Sequence, residues 1–252
     1  MATGRTTEQE LDLALATELQ GALLPKTCPS DCPHQVAAAR NRMCSGVGGD
    51  FYDFIRINED QVGLVIGDVV GHGVSASLIM AQIMGFLRSK PSYLSRPVQI
   101  VAALNGMLID LGNKTDSVLP CSLLYSVIDG PSGMGLFVNA GHPHPFICDR
   151  KKCTTLDVTT TNTLLGIQEF EPSEACHTFS PGERLIMFTD GIVDANDPAD
   201  QRFGNARLHE VVSEYPAADA EGCAEGVFQA VERFRQGAGQ TDDETIVVID
   251  RI

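Results

Sequence analysis

The sequence contains no tryptophan, and no apolar run reaches the ~18 residues that suggest a membrane-spanning helix. Its longest candidate, Val74 to Leu87, is interrupted by Ser75, Ser77 and Gln82 and is expected to form a buried helix. The opening Met1-Ala-Thr-Gly-Arg-Thr-Thr has no apolar stretch of the signal-peptide kind, so the expectation is a cytoplasmic chain without a membrane segment. Basic residues are scarce: 18 Lys and Arg stand against 33 Asp and Glu, for a formal charge of −15. That balance argues against nucleic acid or anionic membranes as partners and suits cations and basic protein faces.

Several sequence signatures are missing or incomplete. There is no G-x-x-x-x-G-K-[ST] phosphate loop and no G-x-S-x-G nucleophile turn, and Ser75 and Ser77 have no base at a motif spacing. Gly71-His-Gly73-Val-Ser-Ala76 matches the dinucleotide fingerprint, but the ribose-binding acid expected about 20 residues later is absent. After Asp68 the next acid is Asp110, so the nucleotide reading fails on its second requirement. Cys28-Pro-Ser-Asp-Cys32-Pro-His34 offers half of a zinc site with no second half. The eight cysteines (28, 32, 44, 121, 148, 153, 176 and 223) are therefore expected as reduced thiols.

What is present reads as one compact α+β domain preceded by a helix. Leu11, Leu15, Leu19 and Leu23 recur every four residues until Pro25, which predicts a helix over 7–24. It either docks on the domain's own core or serves as a dimerising or regulatory segment, so the division is 1–25 and 26–252. Strands are expected at 36–43, 51–57, 62–66, 121–128, 134–139, 145–148, 174–179, 184–188 and 245–249, with 154–162 a loop or an edge strand. Helices are expected at 74–87, 97–111, 205–214 and 221–235. Hairpin-like strand pairs with helices in pairs point to an α+β fold, not a doubly wound sheet.

The chemistry is expected where acids abut these apolar segments. Asp50 precedes Phe51-Tyr52, Asp68 ends Val62-Gly-Leu-Val-Ile-Gly, Asp190 ends Leu185-Ile-Met-Phe-Thr, and Asp242 and Asp243 precede Ile246-Val-Val-Ile249. Carboxylates massed at one sheet edge repel each other unless cations neutralise them. An all-oxygen ligand set suits Mg²⁺ or Mn²⁺. Aspartate beside glycine is also ordinary turn punctuation, but here each acid borders a segment expected to be buried. Arg40 and Arg42 lie near this edge as candidate phosphate-binding residues. His72, His142 and His144 sit in glycine- and proline-rich turns and are expected to shape them.

Gly48-Gly-Asp-Phe-Tyr-Asp-Phe54, Gly67-Asp-Val-Val-Gly-His-Gly-Val-Ser-Ala76, Asn139-Ala-Gly-His142, Phe188-Thr-Asp-Gly191 and Asp242-Asp-Glu-Thr245 resemble, in order, the motifs of the PPM metal-dependent protein phosphatases. They are most similar to the bacterial SpoIIE/RsbU branch, as is the leading Leu19-Gln-Gly-Ala-Leu-Leu-Pro25. The resemblance implies a four-layer αββα sandwich of two antiparallel sheets flanked by helices. It implies two Mn²⁺ or Mg²⁺ ions held by Asp50, Asp68, the Val69 backbone carbonyl, Asp190 and Asp242. Asp243 is a further candidate metal ligand, at a position where many relatives have asparagine. The implied reaction is hydrolysis of phosphoserine or phosphothreonine by a metal-activated water, with a STAS-type anti-sigma-factor antagonist as substrate. An activator protein or a second copy would meet the N-terminal helix. The competing expectation is a phosphoprotein-binding scaffold of the same fold that lacks turnover.

Overall fold

The computed structural model describes residues 3–25, 34–89, 94–149, 152–156, 163–216 and 219–252. In chain order the elements are α1 (Thr3–Leu23), β1 (Gln35–Arg42), β2 (Phe51–Arg56), β3 (Gln61–Val69), α2 (Val74–Ser89), α3 (Pro97–Thr115), β4 (Cys121–Asp129) and β5 (Met134–Ala140). There follow β6 (Phe146–Asp149), β7 (Lys152–Thr155), β8 (Ala175–Thr178), β9 (Glu183–Phe188), α4 (Asp190–Val193), α5 (Gly204–Ser213), α6 (Ala220–Arg235) and β10 (Glu244–Arg251). One sheet has the order β1-β10-β9-β6-β7 and the other β2-β3-β4-β5-β8. Among the described residues every strand pairing is antiparallel.

Period-two alternation explains the layering. Along β10, Val247 and Ile249 join the core between the sheets, while Ile246 and Val248 join a second core under α5 and α6. Strand β9 divides the same way, with Leu185 and Met187 inside and Ile186 and Phe188 under the helices. The second sheet is covered by α2 and α3. Buried on both faces, β3 needs no polar alternation, and its run from Val62 to Gly67 is apolar throughout.

One sequence expectation is corrected and one open alternative is narrowed. Of the leucine stripe of α1, Leu11, Leu15 and Leu19 are exposed and Leu23 is half-buried, and the helix meets the domain through Gln20 and the buried Leu24 that follows it. Cys148, opposite Cys153 in the β6–β7 register, is disulfide-bonded, whereas Cys44, Cys121, Cys176 and Cys223 are free thiols. Cys28 and Cys32 lie outside the described residues. The segment expected at 154–162 contributes only its first residues, to β7; 157–162 lie outside the described residues. None of the described helices is long and apolar enough to cross a membrane.

Candidate metal centre

Strand β3 extends three residues beyond the predicted Ile66, because β4 continues to pair with it: Asp68 stands opposite Ser122 and Val69 opposite Cys121. This carries the half-buried Asp68 to the edge of the sandwich while Val69 stays buried. The 44–50 loop meets it there. The Val69 N–H donates to the Gly49 carbonyl (3.3 Å). Gly49 must be glycine, since a Cβ would collide with the Val69 carbonyl and lie 3.0 Å from Asp68 Oδ1. Glycine thus leaves open a cradle lined by a carboxylate oxygen and a backbone carbonyl.

Asp50 is 1 % exposed and belongs to the same edge. Its Oδ2 accepts hydrogen bonds from Thr189 Oγ1 (2.8 Å) and Thr245 Oγ1 (2.6 Å). Asn41 Nδ2 in turn donates to Thr245 Oγ1 (2.7 Å), and the Thr245 N–H donates to Thr189 Oγ1 (3.0 Å). Three residues of one sheet or its borders therefore fix an acid that precedes the other sheet. Asp190 opens α4 immediately after Thr189. A Cβ on Gly191 would strike the Asp243 carbonyl, so the glycine brings Asp190 against the 242–243 turn.

The electrostatics agree with convergence. Burial pushes the Asp68 carboxyl up to about 8, reinforced by the charges of Asp190, Asp242 and Asp243. Burial, then Asp68, lifts Asp50 well above the usual carboxylate range. Asp190 opens to solvent, yet its partly shielded carboxyl is still raised, first by burial and then by Asp242 and Asp194. Even the buried Cys121 thiol is raised, by burial and then by Asp68 and Asp50. Among the described residues, no three His, Cys, Asp or Glu side chains form a ready-made ligand cluster. What gathers is a looser all-oxygen set, carboxylates plus the Val69 carbonyl, which fits a hard divalent cation and not zinc.

Two sets of candidates are placed elsewhere. Asp243 is buried and spends both oxygens on the loop: Oδ1 accepts from the Cys44 N–H (2.7 Å) and Oδ2 from the Gly49 N–H (2.9 Å). It clamps the loop that bears Asp50. Arg40 and Arg42 are not brought to the carboxylates, which corrects their phosphate-binding expectation. Strand parity turns them to α6, where Arg40 pairs with Glu221 and Glu225, and Arg42 with Glu232 (3.0 Å) and Glu244 (3.1 Å). Asn41, between them, faces inward to Thr245.

The histidines separate too. His72 and His144 are exposed. His142 is buried, with Nδ1 2.8 Å from Ser122 Oγ, and Asn139 closes its turn with two hydrogen bonds. Sequence reasoning missed Thr189, Thr245, Asn41, Ser122 and Gln20. Gln20 reaches from α1 to grip Gly48, with Nε2 donating to its carbonyl (2.9 Å) and Oε1 accepting from its N–H (3.0 Å). Parity was the available signal for Asn41 and Thr245, because both fall on inward positions of strands that were predicted.

Residues 58–252 match the family described as Stage II sporulation protein E (SpoIIE). The phosphoserine phosphatase RsbP of Bacillus subtilis is 24% identical over 207 residues, covering 82% of this chain and 50% of RsbP. The phosphoserine phosphatase RsbU of the same organism is 22% identical over 252 residues, covering 99% of this chain and 73% of RsbU. This chain therefore spans only about half the length of RsbP. Among solved structures, the SiaA-PP2C domain of Pseudomonas aeruginosa superposes with a TM-score of 0.84 at 18% identity, over 100% of both chains.

Proposed function

Because the chain belongs to the SpoIIE family, we propose that it is a metal-dependent protein serine/threonine phosphatase with Asp50, Asp68, the Val69 carbonyl, Asp190 and Asp242 as its metal donors. The observation that carries this reading is the placement of Asp68 beside the Val69 carbonyl, where burial and then the charges of Asp190, Asp242 and Asp243 raise its carboxyl. Among the described residues, no lysine or arginine forms an ion pair with Asp50, Asp68, Asp190 or Asp242. Without an external cation they are neutralised only by taking up protons, which a bound divalent ion would displace.

Two Mn²⁺ or Mg²⁺ ions held there would supply charge that offsets a phosphoryl group and would bring the pKa of a water toward neutrality. The chain's own contribution is placement. Thr189 and Thr245 fix Asp50 by one oxygen and leave the other for a cation. Asp243 holds the loop, and Gly49 keeps the cradle open. No cysteine or serine nucleophile is required, and His72 has no assigned part.

The substrate class follows from the relatives, two of which carry the name phosphoserine phosphatase. A phosphorylated bacterial regulatory protein of STAS type, an anti-sigma-factor antagonist in a partner-switching circuit, fits that class, in the cytoplasm. Residues 26–252 form the phosphatase domain in this reading, and residues 1–25 a regulatory or dimerising segment. The exposed leucines of α1 offer a face to an activator protein or a second copy, and Gln20 connects that helix to Gly48 beside the metal donors.

The test is hydrolysis of p-nitrophenyl phosphate and of a phosphoserine peptide with Mn²⁺, with Mg²⁺ and with EDTA. Turnover that requires metal and vanishes in EDTA is expected. Binding of the phosphopeptide without turnover in either metal would favour the scaffold instead.

A further inference from the structure

We propose that His142, in the link where the chain crosses from one sheet to the other, is a positioning residue that holds Ser122 and through it the Asp68 half of the carboxylate set. This rests on the metal-centre reading above and adds to it a residue that touches neither metal nor substrate.

The two halves have different origins. Asp68 comes from β3, in the sheet covered by α2 and α3. Thr189 and Asp190 follow β9, in the sheet covered by α5 and α6. Their relative position depends on how the sheets are held at this edge. His142 lies in the link between β5 and β6, where the chain crosses from one sheet to the other.

One nitrogen of its ring holds the start of β4. Nδ1 is 2.8 Å from Ser122 Oγ. Ser122 is the register partner of Asp68. Directly opposite residues project on the same face with Cβ atoms about 4.5–5.5 Å apart. The other ring nitrogen is buried and has no hydrogen-bond partner among the described residues. The ring therefore ties the link between the sheets to the cross-strand neighbour of one donor.

The turn that carries the ring is fixed. Asn139 Oδ1 accepts from the His142 N–H (2.8 Å), and Asn139 Nδ2 donates to the His142 carbonyl (3.0 Å). Gly141 adopts a φ of +70°, which lets the turn close. The side chain is 4 % exposed, and burial holds its pKa down at about 3, so the imidazole stays neutral at working pH. It acts as a spacer and not as a general acid. Partners that orient metal ligands from behind commonly matter for affinity even though they do not touch the ion.

The experiment measures Mn²⁺ binding to the whole chain by calorimetry, with the paramagnetic resonance line of bound Mn²⁺ as a second readout. His142→Ala is expected to weaken Mn²⁺ binding by about tenfold or more and to broaden the line. Ser122→Ala, which removes the same bond with little volume change, is expected to weaken it in the same direction. His142→Asn places a carboxamide atom where Nδ1 stood and is expected to restore most of the affinity. Should His142→Ala fail to fold, Ser122→Ala and His142→Asn decide the matter. Alanine variants that melt earlier in EDTA yet bind Mn²⁺ like the unmodified chain would make His142 a packing residue and overturn the proposal. An unmodified chain that binds Mn²⁺ but hydrolyses no phosphoester would sink the phosphatase reading and leave this one standing. An unmodified chain that binds no Mn²⁺ would overturn both.

Discussion

Asp250 and Asp50 are both buried carboxylates, and they differ in where their countercharge comes from. Asp250, near the end of β10, is 0 % exposed and receives Arg184 in a two-pronged bond, Nε to Oδ1 at 2.6 Å and Nη2 to Oδ2 at 2.8 Å. The remaining guanidinium hydrogens reach the Tyr215 and Pro216 carbonyls. Glu244, at the start of the same strand, is likewise matched by Arg42 and Arg235. Asp50 has two threonine hydroxyls and no described cation, with Asp68 as a charged neighbour. On the α6 face the fold supplies its own arginines. At the opposite parity and the open edge it supplies only neutral donors, so acids there retain a demand that a divalent ion can meet.

Breaking the metal side should have the largest effect. Asp68→Asn and Asp190→Asn are each expected to cut metal-dependent turnover by about 100-fold or more, since metal charge stabilisation contributes several kcal/mol. Both variants should fold, and in EDTA Asp68→Asn should melt no lower than the unmodified chain because it removes a repelled carboxylate. Phosphatase kinetics and thermal melts check this, and unchanged turnover in either variant would remove that residue from the donor set.

Breaking the arginine side should do the converse. Arg184→Ala leaves Asp250 buried without its partner, which typically costs about 3–5 kcal/mol of stability. Mn²⁺ affinity and turnover, measured well below the melting temperature, should be preserved. Urea unfolding that shows a loss under about 1 kcal/mol would mean that Asp250 finds another partner.

The smallest effect sharpens the comparison at its border. Gln20→Ala removes two hydrogen bonds to Gly48 and is expected to cost about 1–2 kcal/mol, at the usual net value for each bond. If α1 communicates with the metal loop, the Mn²⁺ dependence of turnover should shift by a few-fold as well. Unchanged stability and unchanged kinetics would reduce the contact to incidental packing.

Much of this was legible in the sequence, for physical reasons. Apolar runs at strand length located nearly every strand, and acids at their borders picked out Asp50, Asp68, Asp190 and Asp242, which lie in one another's electrostatic field. What was not legible depended on partners distant in the chain. Arg40 and Arg42 pointed to the right strand but the wrong face, because parity assigns a side only once the register with β10 is known. Asp243 could not be told from Asp242 until the 44–49 loop was seen to occupy both of its oxygens. The leucines of α1 satisfy a helical period whether they meet a core or solvent, and the pattern alone does not choose. Gln20 gave no periodic signal at all, since its role lies in a single reach to Gly48.

The central claim, that the unpaired acids are built to take divalent cations, is tested most directly by calorimetric titration of metal-free protein with Mn²⁺ in two buffers of different ionisation heat near neutral pH. Asp68, lifted to about 8, is largely protonated at pH 7 and must give up its proton to bind a cation. Affinity should therefore rise with pH up to about 8 and then level off. Two bound ions and net proton release below that pH are expected, with both lost in Asp68→Asn. Binding with no proton release, or binding undiminished by Asp68→Asn, would contradict that claim.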